Sequence, residues 1–108
     1  MQPRVVKTAA DGANFAVYFF DCDAVTARCQ AIQFAAGWSI TKPPKAAMLN
    51  GWNRDMHFVR AYVTKDNKAL YCEMDLTVAP GGTTEQIADY LRRWRKMLAE
   101  FKRRFGVA

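Results

Sequence analysis

The first forty residues form short, mainly apolar runs separated by polar, turn-forming residues, which is typical of β-strands. These runs predict three strands, over Arg4–Ala10, Asn14–Phe20 and Cys29–Trp38. Asp11-Gly12 is a strong signal for a two-residue hairpin turn, because glycine adopts positive φ without strain. Counting outward from that turn sets Val6 opposite Val17 and Thr8 opposite Phe15.

The second and third predicted strands pair around a reversal centred on residues 25 and 26. Counting outward sets Cys22 opposite Cys29, Phe19 opposite Ile32 and Val17 opposite Phe34. The cysteine pairing and the apolar pairing agree, which supports this register. The second strand then presents two faces, one with Phe15, Val17 and Phe19 and the other with Ala16, Tyr18 and Phe20.

The middle of the chain predicts a short helix and a second hairpin. The helix begins at Pro44 and continues to Leu49, with Asn50 and Gly51 as stop signals. Strands follow over Phe58–Lys65 and Lys68–Val78, joined by a turn at Asp66-Asn67. One face of the hairpin pairs Val63 with Leu70, Ala61 with Cys72 and Val59 with Met74, and the other pairs Tyr62 with Tyr71 and Arg60 with Glu73.

The last third of the chain predicts one long helix. Pro80-Gly81-Gly82 breaks the strand pattern, and Thr83 with Gln86 matches a capping box. The helix extends to about Phe105, with an apolar stripe of Ile87, Leu91, Trp94, Leu98, Phe101 and Phe105. The chain is therefore predicted to be one α+β domain over residues 1–108. A single antiparallel sheet of about five strands, in the order β-β-β-α-β-β-α, carries the long helix on one face.

The net charge of +6 is concentrated in the last helix. Seven basic residues and one acidic residue lie between positions 92 and 104, and the rest of the chain carries nine of each sign. An anionic partner, either nucleic acid or an acidic membrane surface, would therefore bind this face. The alternative is a solvated face opposite the apolar stripe. The residues are Arg92, Arg93, Arg95, Lys96, Lys102, Arg103 and Arg104.

Several residue strings, taken in order, carry a family resemblance. They are Ala31-Ile32-Gln33-Phe34-Ala35-Ala36-Gly37-Trp38, Asn50-x-Trp52-Asn53-Arg54, Phe58-x-Arg60-Ala61-Tyr62, Glu73-Met74-Asp75-Leu76, Gly81-Gly82, and a helix with Trp94 and Phe101. The chain resembles the bacterial YbjN domain family, described as sensory transduction regulators. The resemblance implies a fold like that of type III secretion chaperones, which are often homodimers that hold protein partners and catalyse nothing. It implies no catalytic residue, cofactor or metal.

The resemblance also bears on the start of the chain and on its compartment. Family members usually carry a helix before the first strand, so we expect this chain to lack that helix. Members with paired cysteines in the second hairpin often have an upstream signal peptide, and none is present here. We therefore expect a periplasmic or secreted protein if such a segment is missing, and a cytoplasmic one otherwise. No run of residues is long and apolar enough for a membrane span.

The cysteines and the single histidine give few options for chemistry. Cys22 and Cys29 can form a disulfide in an oxidising compartment, or remain two thiols near a loop. A zinc site formed by these cysteines with Cys72 or His57 is not expected, because the sequence has no Cys-x2-Cys or His-x3-His spacing. The register separates Cys72 from His57 by about 13 Å, which is too far for a nucleophile and its base. We expect Cys72 in the core and His57 at the surface.

The remaining candidates favour contact over catalysis. There are two carboxylate pairs. Asp21 and Asp23 flank a turn, where Asp commonly bonds the local backbone, and of Glu73 and Asp75, Glu73 lies opposite Arg60, which favours an ion pair. Trp52 is expected to fill the corner between helix and sheet, with Asn53 and Arg54 satisfying its loop. The sheet face away from the long helix carries Tyr18, Phe20, Tyr62 and Tyr71, whose polar tips suit a partner or homodimer interface.

Overall fold

The computed structural model describes residues 4–10, 12–26, 28–78 and 81–107. Five strands and two helices follow one another in the predicted order: β1 (Arg4–Ala10), β2 (Ala13–Cys22), β3 (Cys29–Ser39), α1 (Ala46–Asp55), β4 (Arg60–Val63), β5 (Ala69–Thr77) and α2 (Thr84–Phe105). The α+β class is confirmed. Asp11 of the predicted first turn and Pro80 of the predicted break lie outside the described residues.

The strands form one antiparallel sheet in the spatial order β1-β2-β3-β5-β4. The predicted hairpin registers are confirmed, including Val6 with Val17, Cys22 with Cys29, Ala61 with Cys72 and Tyr62 with Tyr71. β5 lies between β3 and β4, so Phe34 pairs with Met74 at the centre of the sheet. The connection from β3 to β4 contains α1 and passes over the position of β5, so β4 lies on the far side of β5. This leaves room for β5 to pair antiparallel with both β3 and β4.

Helix α2 is capped at both ends, and its C-terminal two thirds pack against the sheet. The Thr83 side chain caps its start by accepting a hydrogen bond from the Gln86 backbone N–H at 3.1 Å. Gly106 ends it with φ of 67°, which glycine adopts easily. The predicted apolar stripe is buried at Trp94, Leu98 and Phe101. Among the described residues, no helix is long and apolar enough to cross a membrane.

Aromatic rings fill the space between α2 and the sheet. The Trp94 ring lies 5.8 Å from the rings of both Phe15 and Phe34. Phe101 lies 5.3 Å from Trp38. Its other neighbour is Trp52 of α1, at 5.2 Å. These contacts join β2, β3, α1 and α2 into one core, since large aromatic side chains dominate the burial energy of small domains.

The predicted end of the first helix is wrong. Asn50 and Gly51 were expected to stop it, but α1 continues through both residues to Asp55. A glycine inside a helix costs only about 1 kcal/mol relative to alanine. Burial of a large side chain contributes more than that. Trp52 is 0% exposed on the next turn, so the helix continues until that ring is in the core.

The predicted start of the fourth strand at Phe58 is also wrong, because β4 begins at Arg60. Phe58 has φ of 75°, which no strand residue adopts. Val59 is buried but precedes the strand, so its expected pairing with Met74 lies outside β4. The strand ends at Val63 rather than Lys65 because residue 64 already closes the turn, where its N–H donates to the carbonyl of residue 69.

Side chains of α1 fix this start of β4. The Nε1–H of Trp52 donates to the Val59 carbonyl at 2.9 Å. The Asn53 side chain donates to the Ala61 carbonyl at 2.9 Å and accepts from the Ala61 N–H at 2.8 Å. Trp52 and Asn53 thus have the roles predicted for them, whereas Arg54 instead pairs with Asp55 at the surface.

The three cysteines occupy two different environments. Cys22 and Cys29 are joined by a disulfide across the ends of β2 and β3. Cys72 is a free, buried thiol in β5. Burial, and to a lesser extent the neighbouring Glu73 carboxylate, raises the pKa of the Cys72 thiol to about 12. Cys72 is therefore a core residue, as predicted.

The bond between Trp52 and Val59 can be measured against an internal control. Replacing Trp52 with phenylalanine should lower the free energy of unfolding by about 1–3 kcal/mol more than Trp94→Phe, because it leaves the Val59 carbonyl unpaired. The Trp94 Nε1–H is buried without a partner among the described residues, so losing it removes no bond. Trp52→Ala should cost about 3–5 kcal/mol. Urea denaturation measures all three, and equal losses in the two phenylalanine variants would contradict the argument.

The thiols should appear in a fixed sequence when the chain is treated with a thiol reagent at neutral pH. The native protein should react with none, because the buried Cys72 thiol stays protonated. Unfolding without a reductant should release one thiol, and adding a reductant should release three. A count of three after unfolding alone would show that Cys22 and Cys29 are not joined.

Candidate functional site

Both helices lie on one side of the sheet, so its other side, here called the open face, is not covered by any described element. Trp52 of α1 packs against Phe101 of α2, and Phe101 packs on Trp38 of β3. The residues that alternate with the core positions therefore point away from both helices. The larger side chains of the open face are Tyr18, Phe20, Gln33, Arg60, Tyr62, Tyr71, Glu73 and Asp75.

The four aromatic residues predicted for this face form two separate pairs. Tyr18 and Phe20 stack within β2, with ring centroids 6.4 Å apart. Tyr62 and Tyr71 stack across β4 and β5 at 5.7 Å. β3 lies between the two pairs. Tyr62 is exposed, and the other three are partly buried, so each pair offers ring surface to a partner.

A hydrogen-bonded chain of polar side chains runs across the sheet between these pairs. Gln33 donates to Asp75 at 2.7 Å, and Arg60 bridges Asp75 and Glu73. The Tyr62 hydroxyl then donates to the other oxygen of Glu73 at 2.9 Å. The predicted pairing of Arg60 with Glu73 is confirmed. We did not predict the participation of Gln33 and Asp75, which depends on β3 lying beside β5.

The network shifts the pKa values of its members. Partial burial lowers the pKa of Arg60, but hydrogen bonds to Glu73 and Asp75 outweigh that effect and raise it. Partial burial, followed by the hydrogen bond to Glu73, raises the pKa of Tyr62 to about 12. At neutral pH the arginine is therefore charged and the phenol is neutral, so both act as hydrogen-bond donors.

Beside the network, small residues leave a shallow hollow of about 590 Å³ in the open face. Ala16 and Ala35 pair across β2 and β3 at its floor, and Gly37 continues that floor toward Tyr71. A Cβ atom at Gly37 would overlap the Tyr71 ring, so only glycine lets this ring lie across β3. Tyr18 and Lys7 also line the hollow. Its size and openness suit side chains of a partner.

The acidic, cysteine and histidine side chains of the described residues do not gather into a metal site. Among them, no group of three or more histidine, cysteine or acidic side chains is positioned to hold a metal ion. Asp23 accepts hydrogen bonds from the backbone N–H groups of Val25 and Thr26, which is a turn role. His57 is exposed, as predicted. What the open face can do chemically is make contacts.

The basic side chains of α2 are partly neutralised by acidic neighbours. Asp89 pairs with Arg92 at 2.9 Å and Arg93 at 3.0 Å. Glu100 pairs with both Arg103 and Arg104. The guanidinium groups of Arg93 and Arg104 also stack on the rings of Phe58 and Trp52. At least four of the seven predicted anion-binding residues therefore already have partners, which weakens their attraction for an external anion.

Comparison with known proteins gives one finding. The model of a family described as "YbjN: Putative bacterial sensory transduction regulator" matches residues 2–106. No curated protein and no solved structure matches the chain.

The raised pKa of Tyr62 gives a titration that can be observed. Of the four tyrosines, Tyr62 should ionise near pH 12, well above its ordinary pKa of 10.0. Because folding raises this pKa, the stabilisation it brings is complete below pH 10 and is lost as the pH rises through 12. Absorbance titration of the folded protein measures the effect. Tyr62→Phe should remove the ionisation step near pH 12, and Tyr90→Phe should keep it. If both variants keep this step, it belongs to a residue other than Tyr62.

Proposed function

The chain belongs to the YbjN family, and from that membership we propose that it is a regulatory module that binds protein and catalyses no reaction. The observation that carries the proposal is the open face. It has two aromatic pairs on either side of a polar network whose side chains hydrogen-bond to one another. Aromatic residues with polar tips are enriched at protein interfaces. Because Arg60, Glu73 and Asp75 already satisfy one another, burying them leaves few unpaired charges.

We propose that the first partner of the open face is a second copy of the chain. Lys7, Ala16, Ala35 and Glu73 lie in one row across four strands. A two-fold axis parallel to the strands, between two facing sheets, would place Lys7 of each copy over Glu73 of the other. The small residues between them permit close approach, and such a self-complementary interface closes as a dimer.

The dimer would keep a further binding surface available. Both edge strands of the sheet, β1 and β4, have one side without a neighbouring strand among the described residues. An extended segment of a partner protein can add to such an edge through backbone hydrogen bonds. This is the way in which a module without an active site can regulate another protein, by holding one of its segments.

The second candidate function is binding of nucleic acid or an acidic membrane surface by the basic face of α2. One observation favours it: the outward surface of α2 around Arg92, Arg95 and Lys96 is predominantly cationic. The pairs formed by Asp89 and Glu100 act against it, as described above. We therefore place it second.

One set of variants separates the two functions. Size-exclusion chromatography with light scattering should give a dimer for the wild type and a monomer for Tyr18→Ser/Tyr71→Ser, which removes a ring from each aromatic pair. The matched control is Arg92→Glu/Arg93→Glu/Lys96→Glu on the helical side, which should remain dimeric. A wild-type monomer that captures no partner would contradict the first proposal. Salt-dependent DNA or vesicle binding that this control abolishes would support the second.

A further inference from the structure

The segment between α1 and β4, residues 56–59, holds a large aromatic ring outward on the helical side of the molecule. We call this segment the elbow. Phe58 has φ of 75° and is 60% exposed. A bulky residue at positive φ is strained, and a phenylalanine exposed to this extent gains little from burial. The sequence therefore maintains two unfavourable features at one residue.

The fold fixes the elbow at both ends. The Met56 N–H donates to the Trp52 carbonyl at 2.9 Å, which closes the helix. The Trp52 ring then binds the Val59 carbonyl through its Nε1–H, and the Val59 side chain is buried. Because the residues on either side are anchored, Phe58 cannot turn inward without breaking these bonds. The ring position is thus imposed by the buried corner around Trp52.

An apolar hollow of about 260 Å³ lies beside the Phe58 ring. Its walls are Met56, Phe58 and Met97, and methionine side chains adapt their shape to a ligand. The volume is below the roughly 300–1,000 Å³ of small-molecule sites. The hollow therefore fits one side chain of a partner better than a complete cofactor.

The rim of this hollow is positively charged. Lys96 lies at the rim and has no ion-pair partner among the described residues. Arg93 is also at the rim, with its guanidinium 5.2 Å from the centre of the Phe58 ring, but its pair with Asp89 at 3.0 Å offsets its charge, so Lys96 is the main cation of the rim. The one carboxylate there, Asp55, is paired with Arg54 at 2.8 Å, which offsets its charge. An apolar hollow with a cationic rim is complementary to an apolar side chain next to a carboxylate.

We propose that the elbow is a second protein-binding site, and that it takes a short peptide segment in which one leucine or phenylalanine is flanked by acidic residues. The apolar side chain enters the hollow between Phe58 and Met97, and a flanking carboxylate binds Lys96. The site is built on α1, α2 and the elbow, so it works independently of the open face. The proposal extends a protein-binding function without depending on the dimer.

The test uses the full chain with isotope-labelled methionine methyl groups and a panel of short synthetic peptides. Each peptide carries one leucine or phenylalanine, flanked by glutamate, lysine or serine. NMR titration with the glutamate peptides should shift the methyl signals of Met56 and Met97 and leave that of Met74, which lies under the sheet, in place. The lysine peptides should cause no shift.

Two variants remove the site without disturbing the fold. Phe58→Gly deletes the ring and keeps the backbone, because glycine adopts positive φ freely, so the variant should be at least as stable as the wild type. It should weaken glutamate-peptide binding by about tenfold or more, as should Lys96→Glu. The matched control is Lys102→Glu, the same charge change on the same helix, which does not line the hollow and should leave the affinity within about twofold.

Three results would overturn the proposal. The first is the absence of methyl shifts with every glutamate peptide up to millimolar concentration. The second is equal affinity in the wild type and Phe58→Gly. The third is that the protein binds phosphatidylserine vesicles but no peptide, and that Phe58→Gly abolishes the vesicle binding. This result would show that the elbow binds a lipid surface. Tyr18→Ser/Tyr71→Ser should leave peptide binding unchanged, so failure at the elbow and failure of the dimer are distinguishable.

Discussion

The packing of Phe101 decides how the whole molecule is layered. Its ring touches Trp38 of β3 and Trp52 of α1, and it is itself part of α2, so one side chain joins three elements. Because both helices must reach this ring, both lie on the same side of the sheet. No element of the described part of the chain covers the opposite side, although it carries aromatic rings and a polar network. The exposure of the open face, on which the proposed partner binding rests, is therefore a consequence of where the core is.

Local pattern was sufficient for most of the fold. Three turns and the apolar positions around them predicted the registers of β1 with β2, β2 with β3 and β4 with β5. The largest errors of prediction fall in one place, the end of α1 and the start of β4. There the local signals of Gly51 and Phe58 are outweighed by burial of Trp52 and by its bond to Val59. These are tertiary effects, which a residue pattern does not contain.

The candidate site was predictable only where it follows from a hairpin. The stack of Tyr62 on Tyr71 and the pair of Arg60 with Glu73 come from the β4–β5 register. Gln33 joins the network because β3 lies beside β5, and no hairpin links those strands. The role of Gly37 beneath Tyr71 depends on the same neighbours. The elbow could not be predicted either, since the position of Phe58 is set by a bond between a side chain and a distant carbonyl.

The β3–β5 ladder also concentrates the entropic cost of ordering the sheet. The other ladders are closed by short turns, whereas Ser39 and Ala69, the nearest pair in this ladder, are 30 residues apart in the chain. Each doubling of the length of a closed loop adds roughly 0.6 kcal/mol to the entropic free-energy cost of closing it. Helix α1 lies inside that loop and shortens its flexible part, since ten of its residues are already ordered. A helix that completes the core thus also makes the central pairing of the sheet less costly to form.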